Sequence, residues 1–379
     1  MLSPGEPLRH SRYYIGLMSG TSTDGVDAVL ADFSRRARPD IIASASLPMP
    51  ESLRAEFLAL NQPGPNELDR AARAGNQLAD LYAAVTHKLL DKTDVDVRSI
   101  RAIGAHGQTV RHCPEAGYSL QINAPARLAQ LAGIAVIADF RSRDIAAGGQ
   151  GAPLVPAFHH ELFANRDVPR AVLNLGGIAN VTLLHPQRSV YGFDTGPANV
   201  LLDIWIHERK GLNYDHDGAW GASGQVDTAL LQFLLDSESW LEHKPPKSTG
   251  RHLFNKMWLA RRLEQYQQTA GAIPDINVQA TLQAFTARTA ADAILRYAPD
   301  TAEVLVCGGG ALNTGLMAML ASSLPCTVTT TAQYGIPVQS VEALAFAWLA
   351  YAWDDGFPAS LPEVTGAKTP HVLGCKYPA

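Results

Sequence analysis

The 379-residue sequence has little cysteine and no long apolar run, and each absence excludes a class of protein. Its four cysteines are widely spaced and include no Cys-x-x-Cys pair, so neither a zinc site nor a disulfide framework is indicated. The longest apolar stretch, residues 343–353, is far shorter than the roughly 20 residues that a membrane-spanning helix needs. We therefore expect reduced thiols and a cytoplasmic location.

An excess of positive charge is also absent. The formal net charge is -5, so the chain has no global positive field to attract nucleic acid or an anionic membrane. With 46% hydrophobic residues the chain can bury a large core, and its length favours two domains. We expect a small-molecule partner, and neither nucleic acid nor membrane.

The sequence lacks a Walker-type P-loop, but residues 13–30 are typical of a strand, a tight turn and a second strand. Asp24-Gly25 favours the consecutive positive φ angles of a two-residue hairpin turn. The glycines of this turn permit close approach of a ligand, its hydroxyls can donate hydrogen bonds, and Asp24 or Asp27 is suited to a hydrated cation. These groups are typical of phosphate handling; the alternative is a surface hairpin that binds nothing.

Further along, residues 41–47 predict a strand, residues 51–60 a helix, and Asn66 the cap of a long helix that reaches Leu89. Residues 100–105 predict a buried strand. Ligands of open α/β sheets lie at the carboxyl ends of strands, and this strand ends immediately before three polar side chains, His106, Gln108 and Thr109. The alternative for the histidine is a core imidazole with satisfied hydrogen bonds.

A second predicted strand, residues 134–138, leads into a charged segment that contains Asp139, Arg141 and Arg143. The arginines are suited to clamping a carboxylate, and the alternative is a solvated charged face. The Gly-rich residues 146–153 follow. They predict a domain boundary, with a hinge or a close backbone approach to substrate.

Residues 171–184 repeat the opening architecture of strand, Gly-rich turn and strand, with Gly176 and Gly177 in the turn. A strand over residues 190–193 ends at Asp194, and a helix then runs to about Lys210. The position of Asp194 favours a functional carboxylate. The alternative is an aspartate that only stabilises a turn.

A buried strand over residues 303–307 enters a turn of three glycines and a helix that reaches Leu320. Such a turn lets the backbone pack against a planar or phosphorylated ligand, and the helix N-terminus favours negative charge. Glu342 lies near the start of the last long helix, where the alternative role is to complement the helix dipole. We expect the loop-rich tail, residues 358–379, to lie back on the first domain.

Taken in order, these segments resemble anhydro-N-acetylmuramic acid kinase, a family of the actin, sugar kinase and Hsp70 superfamily. The resemblance covers nearly the whole chain. The departures are an N-terminal extension of roughly ten residues and Ser142 within the basic cluster, which leaves open the arginine that meets the substrate. The segments that carry the resemblance are 16–22 with 24–25, 106–109, 138–141, 148–154, 193–197, 247–251, 306–310 and 365–367.

The resemblance implies an α/β protein of two RNase H-like (actin-like ATPase) domains, with ATP bound in the cleft between them. We expect the first domain to comprise residues 1–142 with a tail of about 355–379, and the second residues 143–354. The family is dimeric, so a homodimer is expected. Its cofactors would be ATP and Mg²⁺.

The implied reaction belongs to cell-wall (murein) recycling: the enzyme opens 1,6-anhydro-N-acetylmuramic acid with water and phosphorylates O6, giving N-acetylmuramic acid 6-phosphate and ADP. One alternative is another sugar or carboxylate kinase of the same superfamily. The other is a non-enzymatic nucleotide switch of the actin or chaperone type.

The resemblance also implies roles for individual residues. Asp194 matches the family's catalytic base, and Asp24 would hold Mg²⁺ through water. The residues expected at the substrate are His106, Gln108, Thr109, Asp139, Arg141, Arg143 and Glu342. The residues expected at ATP are Gly20, Thr21, Ser22, Thr23, Asp24, Gly25, Val26, Asp27, Gly176, Gly177, Asn180, Gly308, Gly309, Gly310 and Asn313.

Overall fold

The computed structural model describes residues 12–20, 23–250 and 253–379. Within these residues the chain alternates strands with helices, as the sequence predicts. The strands are β1 (Tyr13–Met18), β2 (Gly25–Asp32), β3 (Asp40–Pro48), β4 (Ile100–Ala105), β5 (Gln108–Cys113), β6 (Tyr118–Ile122), β7 (Val136–Ala138), β8 (Arg170–Leu175), β9 (Ile178–Leu184), β10 (Tyr191–Pro197), β11 (Glu303–Cys307), β12 (Thr327–Thr330) and β13 (Cys375–Tyr377).

The α-helices of the same residues include two long ones, α2 and α10, and the sequence predicts both, the second as a helix over residues 277–295. Their bounds are α1 (Glu51–Leu60), α2 (Glu67–Leu90), α3 (Pro125–Ala132), α4 (Ser142–Ala146), α5 (Val155–Phe163), α6 (Asn199–Lys210), α7 (Ala219–Ala222), α8 (Thr228–Asp236), α9 (Lys256–Ala270), α10 (Asp275–Tyr297), α11 (Thr314–Ser323), α12 (Val341–Asp354) and α13 (Pro362–Thr365). None of them combines the length and the apolar character that crossing a bilayer requires.

The chain forms two compact units, the first ending at residue 162 and resuming at 340–379, and the second spanning 163–339. These limits differ from the predicted ones, because residues 143–162 and 340–354 belong to the first unit rather than to the second. The C-terminal tail lies in the first unit, as predicted, and β13 pairs antiparallel with β7 there.

The first unit is built on a six-stranded sheet in the order β13-β7-β4-β1-β2-β3. Strand β1 is antiparallel to β2 and parallel to β4. The hydrophobic core lies against the helices α1, α2 and α3 and includes Leu53, Phe57, Leu78 and Leu128, all almost fully buried. This sheet directs the carboxyl ends of β1, β4 and β7 toward the same edge, since all three run in parallel.

Helix α12 packs on β1, β2 and β4, and two glycines make that contact possible. Gly16 of β1 and Gly104 of β4 are paired in the sheet. A Cβ atom on Gly16 would overlap the carbonyl oxygen of Ala343, and one on Gly104 would overlap that of Phe346. This close approach places α12 in the first unit, which explains the difference from the predicted limit.

The second unit is built on a five-stranded sheet in the order β10-β9-β8-β11-β12. Its first three strands form an antiparallel meander, and β11 and β12 are parallel to β8 and to each other. The first unit has the same order in β3-β2-β1-β4-β7, so both units have the strand arrangement of an RNase H-like fold. The predicted architectural repeat is confirmed.

Several elements were missed or are differently built. The β5–β6 hairpin begins at Gln108, shortly after β4, and the sequence analysis did not predict it. Asn66 precedes α2 as predicted, but it is left-handed, with a φ of 55°, and its side chain makes no capping hydrogen bond. The strand that contains Asp194 does not end there, and β10 continues to Pro197.

Candidate functional site

The loop between β1 and β2 is held by polar contacts from a neighbouring strand. The Ser19 hydroxyl donates to Gln108 Oε1 at 2.5 Å, and Gln108 Nε2 donates to the carbonyl of Gly20 at 3.2 Å. The amide of Thr23 donates to Gly20 O at 3.1 Å. Gln108, predicted at the substrate, therefore anchors the predicted phosphate loop. Thr21 and Ser22, both predicted at ATP, lie outside the described residues.

The prediction of a two-residue turn at Asp24-Gly25 is wrong. Among the described residues of this loop, Thr23 has a positive φ angle, of 52°, and neither Asp24 nor Gly25 has one. Gly25 instead opens β2, where a Cβ atom would lie 2.7 Å from the carbonyl oxygen of Leu47. The glycine is needed for the approach of β3, and the loop is longer than a two-residue turn.

Asp24 and Asp27 place two carboxylates at the start of β2. The pKa of Asp27 is raised to about 6, first by burial and then by the charge of Asp24. A cation near the pair would relieve this repulsion, so the donor set fits an ion such as Mg²⁺. Val26, between them, is fully buried in the core and offers no side chain to a ligand.

The described residues contain no group of three or more His, Cys, Asp or Glu side chains that could hold a metal ion. A carboxylate pair alone provides too few ligands for a dedicated protein site. It does fit Mg²⁺ that keeps several waters and takes further ligands from substrate phosphates.

The turn between β8 and β9 consists of Gly176 and Gly177, both partly exposed. A Cβ atom on Gly177 would meet nothing within 4 Å, and one on Gly176 only atoms at 3.8 Å or more. Neither glycine is required by its own φ or by protein packing. Open space beside a bare backbone is what a ligand in close contact with this turn would need.

The carbonyl groups of this turn accept hydrogen bonds from the start of helix α6. Asn199 N donates to Gly176 O at 3.0 Å, and Val200 N donates to Gly177 O at 3.1 Å. Two of the free amides at the start of α6 are thereby satisfied. The turn is therefore fixed to α6 through its oxygens.

The three glycines that follow β11 have different roles. Gly308 has a φ of 80°, and its Cβ would lie 2.8 Å from the carbonyl group of Leu175, while a Cβ on Gly310 would lie 2.6 Å from Leu175 Cβ. These two let the turn pack against the end of β8. Gly309 is exposed, and the nearest atom to its Cβ would be 3.7 Å away. Only Gly309 has room for a ligand.

Two further residues predicted at ATP have structural contacts. Asn313 Oδ1 accepts from Leu316 N at 2.9 Å and caps α11, and Gln283 Nε2 donates to the same oxygen at 3.3 Å. The start of α11 is therefore not the open helix N-terminus that the sequence suggested. Asn180 is partly buried in β9 and pairs with Asp194 across the sheet.

His106 and Arg141, predicted at the substrate, are in contact. Arg141 Nη2 lies 2.9 Å from His106 Nε2, and since a guanidinium only donates, the histidine accepts. Burial, followed by the Arg141 charge, lowers the pKa of His106 to about 3. The imidazole is therefore neutral, buried and hydrogen-bonded at Nε2. Its buried Nδ1 has no hydrogen-bond partner among the described residues, so it is not the fully satisfied core imidazole of the alternative.

Arg141 is held on a second side as well. Its Nη1 donates to the carbonyl of Gly151 at 2.8 Å. Burial lowers the pKa of Arg141 to about 10, whereas the charges of Glu342 and Asp144 oppose the shift. Glu342, partly exposed in the first turn of α12, thus interacts with the predicted substrate arginine.

The remaining predicted substrate residues are less buried. Thr109 Oγ1 accepts from Gln121 Nε2 at 3.1 Å in the β5–β6 hairpin. Asp139 is exposed and left-handed, with a φ of 59°, and accepts from the Ser142 hydroxyl at 2.5 Å. Arg143 is exposed, and its guanidinium has no hydrogen-bond or ion-pair partner among the described residues. It is the more accessible of the two arginines.

Asp194 lies within β10 beside a bulge, where the register with β9 shifts between Asp194 and Gly196. Its Oδ2 accepts from the Ser248 hydroxyl at 3.0 Å and from Thr249 N at 2.8 Å. Burial raises the pKa of Asp194 to about 6, and these two hydrogen bonds act against the shift. Bulges commonly re-aim a side chain next to an active site.

Sequence reasoning missed the contacts of Ser248 and Thr249 with Asp194. Residues 247–251 were recognised only as part of the family resemblance, and nothing local to them indicates a carboxylate 55 residues earlier in the chain. It also missed Asp144, which is fully buried beside the predicted basic cluster. Its position within that charged segment was the only available signal.

Comparison with known proteins identifies the family. Residues 12–379 match the family model described as anhydro-N-acetylmuramic acid kinase. A curated protein of that name from Bordetella petrii is 58% identical over 368 residues, covering 97% of this chain and 97% of that protein. Another from Pseudomonas paraeruginosa is 50% identical over 367 residues, covering 97% and 99%.

Solved structures are similar at much lower identity. A ROK family glucokinase from Streptomyces griseus in complex with glucose and AMPPNP is 12% identical, with a TM-score of 0.40 and coverage of 88% of this chain and 98% of that one. At this score the match carries no argument about function. The family model and the curated relatives span nearly the whole chain, and the protein therefore belongs to the anhydro-N-acetylmuramic acid kinase family.

Proposed function

We propose that the protein converts 1,6-anhydro-N-acetylmuramic acid, ATP and water into N-acetylmuramic acid 6-phosphate and ADP. Family membership supports this proposal, since relatives of 58% and 50% identity are named for a kinase of this sugar. The observation that carries it is the Asp194 carboxylate, which is fixed through one oxygen and has a pKa raised to about 6.

The substrate itself requires such a carboxylate. In a 1,6-anhydro sugar O6 is bonded to C1, so an ordinary kinase base has no hydroxyl proton to remove. Water must attack C1 while the C1–O6 bond breaks and O6 bonds to the γ-phosphorus, releasing ADP. The proton lost by the water passes to Asp194, which acts as general base.

The contacts of Asp194 suit this role. Among the described residues, Ser248 and Thr249 donate to Oδ2, so Oδ1 remains to accept a proton from water. A pKa of about 6 leaves the group ionised at neutral pH while making it a stronger base than an exposed aspartate. As the pH falls through 6, the carboxylate is protonated and the base is lost.

For the nucleotide, we propose that ATP is bound by the β1–β2 loop and by the turns at Gly176-Gly177 and Gly309. Positioning and charge neutralisation are the main demands of phosphoryl transfer, and bare backbone together with a cation can meet them without a Walker lysine. Mg²⁺ would be held through water by Asp24, beside Asp27. When bound, it would neutralise charge on the phosphates.

For the sugar, we propose a site lined by residues of β5, the β7–α4 segment and α12. Arg143 is the better candidate for the lactyl carboxylate that distinguishes muramate from glucosamine, because Arg141 already donates to Gly151 and His106. Arg141 with its partner His106 lines the same site, and Asp139, Thr109, Gln108 and Glu342 complete it. The protein would act in the cytoplasm as a homodimer, in murein recycling.

The direct test measures ADP release with Mg²⁺ and a panel of acceptors: anhydromuramate, free muramate, lactyl-free anhydro-sugar, glucose and acetate. We expect turnover to depend on anhydromuramate and to fall for the lactyl-free sugar. Activity restricted to glucose or acetate would indicate another kinase of the superfamily. ATP turnover that ignores every acceptor would indicate a nucleotide switch.

A further inference from the structure

The segment around α13 is connected to the proposed sugar site by a buried carboxylate. Asp144 has 0% of its surface exposed, and both of its oxygens are hydrogen-bonded. Oδ1 accepts from the Thr365 hydroxyl at 2.8 Å, and Oδ2 accepts from Gly151 N at 2.8 Å. One side chain therefore joins the C-terminal segment to the Gly-rich loop.

The backbone reinforces this connection on both sides of the loop. Gln150 N donates to Thr365 O at 2.7 Å, and Lys368 N donates to Ala147 O at 3.0 Å. A Cβ atom on Gly149 would overlap the Asp144 carboxylate, so only glycine allows the loop to wrap around it. Residues 147–151 are thus held to residues 365–368 and are not the free hinge that their composition suggested.

The Gly151 carbonyl connects residues 147–151 to the proposed sugar site. It accepts from Arg141 Nη1 at 2.8 Å, and the same guanidinium donates through Nη2 to His106 at 2.9 Å. Four successive hydrogen bonds therefore link Thr365, Asp144, Gly151, Arg141 and His106. All five residues belong to the first unit.

Charge supports the same arrangement. A carboxylate buried without compensation is costly, and Asp144 is compensated by two hydrogen bonds and by the nearby Arg141. Burial lowers the pKa of Arg141 to about 10, and the charges of Glu342 and then Asp144 favour the protonated guanidinium against this shift. Arg141 is therefore charged at neutral pH and can donate to Gly151 and His106 together.

We propose that Asp144 and Thr365 are positioning residues for the sugar site, because they hold the Gly151 carbonyl where it fixes the Arg141 guanidinium against His106. The inference rests on the proposed function, in which Arg141 and His106 line the site for the anhydro sugar. It assigns a role to the segments 148–154 and 365–367, whose chemistry the family resemblance left unexplained. Breaking one of the four hydrogen bonds between Thr365 and His106 should weaken the binding of the sugar and leave the binding of ATP unchanged.

The test compares Thr365→Val with Thr365→Ser. The valine removes the hydroxyl, and with it the donor to Asp144 and a longer contact in which Ala367 N donates to that oxygen at 3.4 Å, whereas the serine keeps the hydroxyl. We expect Thr365→Val to raise the KM for anhydromuramate roughly five- to tenfold, the scale of one lost buried hydrogen bond, with the KM for ATP unchanged. Thr365→Ser should restore the KM for the sugar to within about twofold of the wild-type value.

A matched control separates positioning from a loss of stability. Thr86 is a fully buried threonine on α2 of the same unit, and its hydroxyl donates to Tyr82 O at 2.8 Å. Thr86→Val should lower the Tm without changing either KM. If Thr365→Val behaves in the same way, or raises both KM values equally, the positioning role is wrong.

A second measurement does not depend on catalysis. The ¹⁵N NMR spectrum of the wild-type histidine side chains should contain a buried neutral imidazole with an unprotonated Nε2, assigned to His106 by its loss in His106→Asn. Thr365→Val should shift this signal, and Thr365→Ser should not. An unchanged signal in Thr365→Val would contradict the inference. Absence of sugar-dependent ADP release in the wild type would instead contradict the proposed function.

Discussion

The two units share a strand order, but their first hairpins present different chemistry. In the first unit, β1 and β2 are joined by a hydroxyl-rich loop that Gln108 holds, and two carboxylates follow it. In the second unit, β8 and β9 are joined by Gly176 and Gly177 alone, with open space around both. One hairpin supplies side chains, and the other supplies bare backbone.

Under the proposed function, one strand arrangement meets two different demands of phosphoryl transfer. The acidic pair of the first unit is suited to a hydrated cation, whereas the glycine turn of the second unit allows a phosphate to approach the backbone. Asp194, the proposed base, belongs to the second unit, two strands beyond its glycine turn.

The largest effect is expected at Asp194, the carboxylate of the second unit. Asp194→Asn keeps the shape and the ability to accept from Thr249 N but removes basicity, so turnover should fall about 10²–10⁴-fold. ATP affinity measured by calorimetry should be unchanged. Since the raised pKa means that the charge opposes folding above pH 6, the Tm at pH 7 should be unchanged or higher. Near-normal turnover in the folded variant would exclude Asp194 as the base.

The next effect is expected at the acidic pair of the first unit. Asp24→Asn removes a carboxylate that would hold Mg²⁺ through water, and such outer-shell losses typically cost about 10- to 100-fold in metal affinity or activity. Titration of activity with Mg²⁺ should show a higher concentration for half-maximal rate. Asp32→Asn, at the far end of the same strand, is the control and should leave the titration unchanged. If Asp24→Asn and the wild type needed the same Mg²⁺ concentration for half-maximal rate, the proposal that this hairpin binds the cation would be wrong.

A smaller effect distinguishes glycines that leave room for a ligand from those that the fold requires. A Cβ atom on Gly177 would meet no protein atom within 4 Å, so Gly177→Val should leave the Tm the same. The added bulk should weaken ATP binding severalfold, because it would fill the space proposed for the nucleotide. Gly308→Val should instead lower the Tm, because its φ of 80° costs a side chain about 1 to 2 kcal/mol and its Cβ would crowd Leu175. Calorimetry and thermal melts of both variants check the pair. If Gly177→Val binds ATP normally, the glycine turn is not part of the nucleotide site.

The smallest effect concerns the orientation of Asp194. The activity of the wild type should decline as the pH falls through about 6, because the base is then protonated. Ser248→Ala removes a hydrogen bond that favours the charged form, so this decline should move upward by about 0.4 to 1 pH unit. Ser223→Ala, which removes a hydroxyl that donates to a backbone carbonyl elsewhere in the unit, should not move it. If the pH profile of Ser248→Ala were identical to that of the wild type, the Ser248 hydroxyl would have no influence on the pKa of the base.

Much of the fold could be predicted from local pattern. The strands around both glycine-rich turns, the long helices α2 and α10 and the strand–glycine–helix segment at β11 all follow from periodicity and turn residues. The conformation of the turns could not. Position 25 requires a glycine because Leu47 of another strand approaches it closely, and not because it forms a turn with Asp24. The Asp24-Gly25 pair therefore suggested a two-residue turn that the structure does not contain.

Long-range contacts explain the other differences. Helix α12 belongs to the first unit because Gly16 and Gly104 leave room for it, and a glycine within a strand does not reveal which helix it will meet. Asp144 and Thr365 are 221 residues apart, so no local pattern connects them. The candidate site residues were predictable mainly through family resemblance, whereas their hydrogen-bond partners required the structure.

The central claim, that water opens the anhydro bridge at C1 with Asp194 as base, is tested most directly by the reaction in ¹⁸O-labelled water. The product must be analysed promptly, before the anomeric hydroxyl exchanges with solvent. The proposed mechanism predicts label on the C1 hydroxyl and none in the phosphate. Label in the phosphate would mean that water attacks phosphorus, which contradicts the mechanism.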